Sequence, residues 1–269
     1  MTVSETATNV YLPDPSLVQT AMAAILAFEQ SSAASVWTEL DKATIVSEMR
    51  SRVQDPFQIN QGGQPFCGPA AVLFELVRKQ PLRYVQLCQS LFETGGFQAR
   101  TRRISASAEL RQNLDRNLHT SQTDWMVLAT LRESELLIFP VEPNAPDFVR
   151  NIAGMTTPWQ IKGWMQELLG YSRLTYRYAF WFNDAGALNA TAAIVRSGGV
   201  GILLITAEGL LENNPPPVPF PSHWVSLLGD VVIAQNRVSF DIYTWSKNLK
   251  VDLDLPSFRK YFWASVTGN

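Results

Sequence analysis

Apolar residues recur with helical spacing through most of this chain as far as Ser197, whereas short strand-like runs cluster after Gly201. This order predicts an α+β fold with a helical first half and an antiparallel β-sheet in the second half. We predict helices over residues 14–53, on either side of a Ser/Ala-rich break at 31–35, and over 67–80, 82–93, 107–118, 125–132, 158–169 and 184–197. We predict strands over residues 201–206, 223–228, 231–235 and 238–245.

The pattern also suggests a domain boundary near residue 52. The second helical stretch should end at Asp55-Pro56, because the residue before a proline disfavours the helical conformation. We therefore expect a helical extension over residues 1–52, packed on or tethered to a main domain over residues 53–269.

Composition and charge limit the classes of partner. Hydrophobic residues make up 46% of the chain, which favours a globular protein over a disordered one. The net charge of −2 offers no basic excess for nucleic acid or for an anionic membrane. We expect no transmembrane helix, since none of the apolar runs approaches the roughly 18 residues that one needs. The N-terminus lacks a signal-peptide pattern, so we expect a cytoplasmic protein or one exported by another route.

Two cysteines and two histidines, without close spacing, are a poor set of zinc ligands, so we expect neither a metal nor a cofactor. Cys67 precedes Gly68 and Pro69 at a predicted helix start. There, unpaired amides and the helix dipole favour a thiolate and can bind an oxyanion. Cys88 lies among apolar residues in mid-helix and is expected to be buried. Cys67 is therefore the candidate nucleophile.

A thiol nucleophile needs a base. His119 follows an Arg/Asn-rich stretch, and we interpret it as a solvated helix end. His223 opens the apolar run HWVSLLG directly after a Pro-rich loop, a position from which a side chain can face a cleft. A structural histidine that caps a strand is the alternative interpretation of His223. We take His223 as the candidate base.

The base in turn needs an acceptor that orients its ring. Side chains alternate along a strand, so the predicted strand 238–245 would place Asp241, Tyr243 and Trp245 on one face. We predict that Asp241 orients His223. Asp230 is expected to lie solvated in a hairpin turn.

The segment QGGQPFCGPAA, residues 61–71, resembles the papain superfamily, especially the bacterial peptidases that process double-glycine leaders. The resemblance implies a papain-like fold, in which the nucleophile helix packs on the sheet that carries the histidine. It also implies that the Gln61 side chain and the Cys67 amide form the oxyanion hole, with Gln64 as the alternative donor.

The later motifs, His223-Trp224-Val225 and Tyr243-Thr244-Trp245-Ser246, resemble the histidine strand and the Asn-Ser-Trp-Gly strand of papain. The Asn position of that pattern falls on Tyr243, which is not the usual acceptor, so the third role passes to Asp241. Trp224 and Trp245 would shield the catalytic pair from water.

The order of these motifs over residues 55–250 resembles that in cysteine-protease toxins of bacterial competition. This resemblance implies an effector that is delivered into a target cell, cleaves a protein or peptide substrate and has a cognate immunity protein. A deamidase, transglutaminase or peptidoglycan amidase would use the same dyad, and the sequence does not separate these activities. A papain-like binding module without activity is a further alternative.

Overall fold

The structure is a computed structural model, and it describes residues 2–6, 11–112, 120–135, 156–179, 184–212 and 214–269. The helices are α1 (Pro15–Gln30), α2 (Lys42–Gln54), α3 (Cys67–Lys79), α4 (Pro81–Thr94), α5 (Ala108–Gln112), α6 (Gln122–Glu135), α7 (Pro158–Glu167), α8 (Asp184–Arg196), α9 (Ala207–Leu210) and α10 (Leu255–Tyr261). The strands are β1 (Thr2–Glu5), β2 (Gly96–Gln98), β3 (Arg103–Ser105), β4 (Leu174–Tyr178), β5 (Val200–Ile205), β6 (His223–Ala234), β7 (Arg237–Thr244), β8 (Lys247–Asp254) and β9 (Phe262–Gly268). Helices precede most of the strands, which confirms the α+β class.

The chain forms two compact units. The helical unit consists of Tyr11–Met155 and Glu167–Leu169. The sheet unit consists of Met1–Val10, Thr156–Gln166 and Gly170–Asn269. Among the helices of the described ranges, none is long and apolar enough to cross a membrane.

Aspartate caps fix where the first two helices begin. Asp14 accepts a hydrogen bond from the Ser16 amide at 2.8 Å, and Asp41 accepts one from the Thr44 amide at 2.7 Å. The second predicted helical stretch began at residue 36, but α2 begins only at Lys42. The cap explains the difference, because the carboxylate of Asp41 satisfies an amide that has no partner within the helix.

Helices α1 and α2 contribute to the core of the helical unit. Ile25 and Met49 are fully buried, and the Phe28 ring packs edge-on against Phe92 of α4 at 5.5 Å. The Trp37 indole donates a hydrogen bond to the Leu91 carbonyl at 2.8 Å. Residues from the expected extension therefore pack directly on α4, and a boundary at residue 52 remains a prediction that deletion can test.

The sheet unit is built on seven antiparallel strands in the order β1-β8-β7-β6-β5-β9-β4. The predicted strands 223–228 and 231–235 are one strand, β6, whose register against β7 shifts around Gly229. Val225, Leu227, Phe240 and Ile242 belong to the buried cluster of this unit. Strand β6 thus carries His223 at its first residue, in the middle of the sheet.

Candidate active site

Cys67 is the first residue of α3, as the sequence predicts. No side chain caps this end of the helix, and the first amide that bonds within it is that of Ala70, to the Phe66 carbonyl at 2.8 Å. The Cys67 and Gly68 amides precede that bond in the first turn of α3, and Pro69 has no N–H. Cys67 is half-buried, whereas Gly68 and the nine residues after it are buried. The helix start therefore presents a sulfur at the edge of a packed helix.

A buried aromatic pair fixes the residue before the cysteine. Phe66 is 0% exposed, and its ring lies 5.9 Å from the ring of Trp125, which is also 0% exposed. Trp125 belongs to α6, so a tertiary contact fixes where the chain enters α3.

The segment from Asn60 to Gln64 is a tight loop. Gly62 has a φ of 61°, a left-handed conformation that favours glycine, and its amide donates to the Asn60 side chain at 2.8 Å. The Gln64 amide donates to the Gln61 carbonyl at 3.3 Å. The Gln61 side-chain amide donates back to the Gln64 carbonyl at 3.4 Å. Gln61 is thus folded over its own loop, six residues before Cys67.

The Gln64 side chain is also part of this region. It is 8% exposed, and its Oε1 atom has no hydrogen-bond partner among the residues that the structure describes. The sequence makes Gln64 an alternative oxyanion donor, which would use its nitrogen rather than this oxygen.

A buried charge pair lies next to the loop. The Arg52 guanidinium donates from Nε and Nη2 to the two carboxylate oxygens of Asp124, at 3.1 and 2.8 Å. Burial opposes the charge of Arg52, but hydrogen bonding and attraction to Asp124 outweigh it and raise the pKa of the guanidinium. Asp124 also accepts a hydrogen bond from the Asn60 amide at 2.9 Å. Sequence reasoning missed both charged residues, because an Asp in a helix's first turn is common and Arg52 fell in the expected extension.

Cys88 is fully buried in α4, which confirms the sequence prediction. Burial raises the pKa of its thiol well above the ordinary value. Cys88 is therefore a protonated core residue at neutral pH and a poor nucleophile.

His223 is the first residue of β6 and pairs with Ile205 of β5. The ring is buried, and its Nε2 atom lies 2.6 Å from the hydroxyl of Thr244, which is the last residue of β7. Burial lowers the pKa of His223 to about 4. The imidazole is consequently neutral at pH 7 and able to accept a proton.

The Trp245 ring stacks on His223, with ring centres 4.9 Å apart and an angle of 26° between the planes. Trp245 and Ser246 form the two-residue turn from β7 to β8, and both have positive φ, 48° and 61°. A bulky residue rarely adopts this left-handed conformation. The turn thus accepts an unfavourable backbone geometry at the residue whose ring covers His223.

The predicted acceptor, Asp241, does not share a strand face with the His223 partner. Thr244 is three positions after Asp241 along β7, so their side chains lie on opposite faces. Asp241 pairs with Gly229 across one side and with Lys250 across the other, where the charged groups approach to 3.9 Å. The expectation that Asp241 and Trp245 share a strand face is wrong, because β7 ends at Thr244 and Trp245 lies in the turn. The role of Asp241 as the acceptor stays a prediction.

The sequence also led to predictions for Trp224, Asp230 and His119. Trp224 follows His223 on β6 and so points to the opposite face, where its indole donates to the Thr156 carbonyl at 2.8 Å. Asp230 lies exposed within β6 rather than in a hairpin turn, because the turn falls at Gln235 and Asn236. His119 lies outside the described residues.

The Pro-rich loop before His223 is anchored at its end. The Ser222 amide donates to the Ile205 carbonyl at 2.9 Å, and its hydroxyl donates to Glu208 at 2.8 Å. The Thr206 hydroxyl donates to the Phe220 carbonyl at 2.7 Å. These bonds fix the chain where it enters β6.

The described ranges contain no group of three or more His, Cys, Asp or Glu side chains that could hold a metal ion. Cys67 belongs to the helical unit and His223 to the sheet unit. No known family model matches the chain, and no curated protein matches it either. A functional assignment must therefore depend on the chemistry of the two regions.

Proposed function

We propose that this protein is a papain-like cysteine hydrolase, specifically a peptidase, with Cys67 as the nucleophile and His223 as the general base. The observation that carries the proposal is the setting of His223, which bonds Thr244 through Nε2 beneath the Trp245 ring. A catalytic imidazole needs one nitrogen held by a partner and the other available to the nucleophile. This arrangement meets the first condition.

The tautomer follows from the role of the base. If the ring proton is on Nε2, the Thr244 hydroxyl accepts it and Nδ1 carries the lone pair. We assign that tautomer to the resting enzyme, because a general base must present an unprotonated nitrogen. The pKa of about 4 keeps the ring neutral at pH 7 until a thiolate is formed beside it.

The proposed reaction is acyl transfer. Nδ1 of His223 takes the proton from the Cys67 thiol, and the thiolate attacks the substrate carbonyl carbon to form a tetrahedral oxyanion. When the oxyanion collapses, the C–N bond breaks and the leaving amine takes the proton from His223. Water, deprotonated by the same imidazole, then attacks the thioester and releases the acid and the Cys67 thiol.

Two donors are proposed for the oxyanion, the Cys67 backbone N–H and the Gln61 side chain. Cys67 is the first residue of α3, where backbone N–H groups and the helix dipole favour an anion. The Gln61 amide carries two N–H donors, and the bond to the Gln64 carbonyl uses only one of them. Preorganised donors of this kind are typically worth about 10²- to 10³-fold in rate each.

The order of the motifs over residues 55–250, which resembles that in cysteine-protease toxins, supports the more specific part of the proposal. In that part the substrate is a protein or peptide, the role is that of a bacterial effector toxin acting in a target cell, and the partner is an immunity protein.

Thiol labelling tests the proposal. Native protein treated with iodoacetamide, or with an E-64-like epoxide, should carry one adduct, on Cys67, and none on Cys88. Hydrolysis of a quenched-fluorescent peptide library should disappear in Cys67→Ala and His223→Ala and persist in Cys88→Ala. Chelators should leave activity unchanged.

The pH dependence of labelling tests the pairing of the two residues. Cys67 should react at a lower pH in the wild type than in His223→Ala, because the imidazole accepts the thiol proton. Identical profiles, an adduct on native Cys88, or full hydrolysis by Cys67→Ala would overturn the proposal.

A further inference from the structure

Two neighbouring residues of α6 hold the two ends of the loop that precedes Cys67. Asp124 accepts the Asn60 amide at one end, and the Trp125 ring packs on Phe66 at the other. Between these points lies the whole segment that carries Gln61 and leads into α3. A single turn of helix therefore sets the geometry of the loop from both sides.

The Asn60 peptide is fixed more firmly than its position requires. Asn60 is an exposed residue, so water could satisfy its amide, yet the amide bonds a carboxylate that is 0% exposed. Its carbonyl accepts the Thr120 hydroxyl at 2.5 Å. The N–H and carbonyl groups of Asn60, one position before Gln61, are thus bound by Asp124 in the first turn of α6 and by Thr120 just before that helix.

The carboxylate itself has little freedom. Arg52 bonds both of its oxygens, and the same guanidinium bonds the Ser121 hydroxyl at 2.7 Å. Glu48, one turn earlier on α2, accepts the Thr123 amide at 2.7 Å and so caps α6. Helix α2 therefore holds α6 at the level of Asp124, and Asp124 holds the loop.

We propose that Asp124 is a positioning residue, which fixes the Asn60–Gln64 loop so that the Gln61 amide points at the developing oxyanion. The inference rests on the proposed function, since it assigns the purpose of the loop. Arg52 acts one step further back, by keeping the carboxylate in place. A displacement of about 1 Å at such a donor can cost on the order of 10²-fold in rate.

A pair of double variants separates this role from the ion pair. Arg52→Met with Asp124→Asn removes both charges but keeps an oxygen acceptor for the Asn60 amide. Arg52→Met with Asp124→Leu has nearly the same shape but no acceptor. Both lose the ion pair, so the difference between them isolates the hydrogen bond to the loop.

We expect the Leu double variant to have a kcat at least about 10-fold below that of the Asn double variant, with KM within about 3-fold. Iodoacetamide should label Cys67 at the same rate in both, because alkylation forms no oxyanion. With Gln61→Ala added to each, the difference in kcat should vanish. Equal kcat in the two double variants, or a difference that persists without Gln61, would overturn the role.

Hydrogen exchange at the Asn60 amide gives a readout that needs no activity. The Leu double variant should exchange at least about 10-fold faster at Asn60 than the Asn double variant, with core amides of α4 equal in both. If wild type and Cys67→Ala show the same hydrolysis, the proposed function has failed. In that case the exchange data alone decide whether Asp124 fixes the loop. Equal exchange at Asn60 in the two double variants would overturn the positioning role of Asp124.

Discussion

The Cys67 region is held by charged groups and main-chain hydrogen bonds, whereas the His223 region is held by strand pairing and one aromatic ring. Asp124 and the Phe66–Trp125 contact fix the loop before the cysteine. On the histidine side, Thr244 comes from the neighbouring strand and Trp245 from the turn that follows it. The loop and helices of the first region are thus fixed by side-chain contacts, and the strands of the second by their backbone pairing.

This difference predicts different responses to substitution. The loop before Cys67 is fixed by several buried groups of the helical unit at once. Loss of any one of them should therefore disturb the packing of the others. A hydroxyl and an indole at the end of a hairpin can be changed singly, because the β6–β7 and β7–β8 pairings do not depend on either side chain. Substitutions in the helical unit should therefore lower the free energy of unfolding. Substitutions of the residues around His223 in the sheet unit should lower kcat more than stability.

Deletion of residues 1–50 should have the largest effect. It removes buried residues such as Ile25, Phe28, Trp37 and Met49, each worth about 1.5–3 kcal/mol when buried. Their sum rivals the 5–15 kcal/mol stability of a typical domain. We expect an unfolded or insoluble product by circular dichroism, whereas deletion of residues 1–6, which removes only edge strand β1, should leave a folded protein. A folded, active product of the longer deletion would confirm that residues 1–52 are a separate extension.

Substitution of Thr244 should come next. Thr244→Val removes the hydroxyl without changing shape, so the His223 ring loses its partner. We expect kcat to fall by about 10²-fold, as for an orienting group in a triad, and the free energy of unfolding to fall by about 1–3 kcal/mol because the buried Nε2 atom loses its partner.

Two further substitutions serve as controls for Thr244→Val. Thr244→Ser should restore most of the rate, and Asp241→Asn on the opposite face should stay within about 3-fold of wild type. A larger loss in Asp241→Asn than in Thr244→Val would confirm Asp241 as the acceptor.

The two regions also differ in how far the sequence predicted them. The start of α3 at Cys67 followed from local signals, a Cys-Gly-Pro at the head of a helical pattern, because helix ends are set by neighbouring residues. The His223 partner depended on which face of β7 it meets, and this is set by long-range pairing. A bulge at Gly229 and a turn that starts at Trp245 are invisible to simple alternation.

Helices and strands also differ in how closely the sequence predicted them. Helices α3, α4 and α6 and strands β5 to β7 were predicted at close to their observed positions. Strands β1 to β4, β8 and β9 were missed. Strand β8, for example, alternates charged with apolar residues in KNLKVDLD, a pattern typical of a half-buried strand that the sequence analysis did not use, and it pairs with β7 on one side and β1 on the other.

The buried histidine should make stability depend on pH. Its pKa is about 4 when folded against 6.5 as the ordinary value, so the unfolded chain binds the proton more readily between these values. The contribution is complete above pH 6.5 and is lost as the pH falls toward 4. By pH 5 the free energy of unfolding should be lower by about 2 kcal/mol for this reason.

Comparison with His223→Gln isolates this contribution, since glutamine does not titrate and other acid effects are shared. Urea unfolding at pH 7 and pH 5 should show the larger decrease in the wild type. Equal decreases in the two proteins would mean that the His223 ring is not buried in the folded state.

The two hairpin turns of the sheet unit allow the finest test. Gln235-Asn236, between β6 and β7, has positive φ at both positions, as does Trp245-Ser246 between β7 and β8. Such turns favour Asn-Gly, and non-glycine residues there cost up to about 1 kcal/mol. Replacing the exposed pair Gln235-Asn236 by Asn-Gly should raise the free energy of unfolding by about 0.5–1 kcal/mol and leave kcat unchanged.

The same replacement at Trp245-Ser246 relieves the same backbone conformation but removes the ring from His223, so kcat should fall by about 10-fold. Urea unfolding and steady-state kinetics of the two variants make the measurement. Equal kcat in both would show that Trp245 adopts its unfavourable conformation for packing alone and not to cover the base.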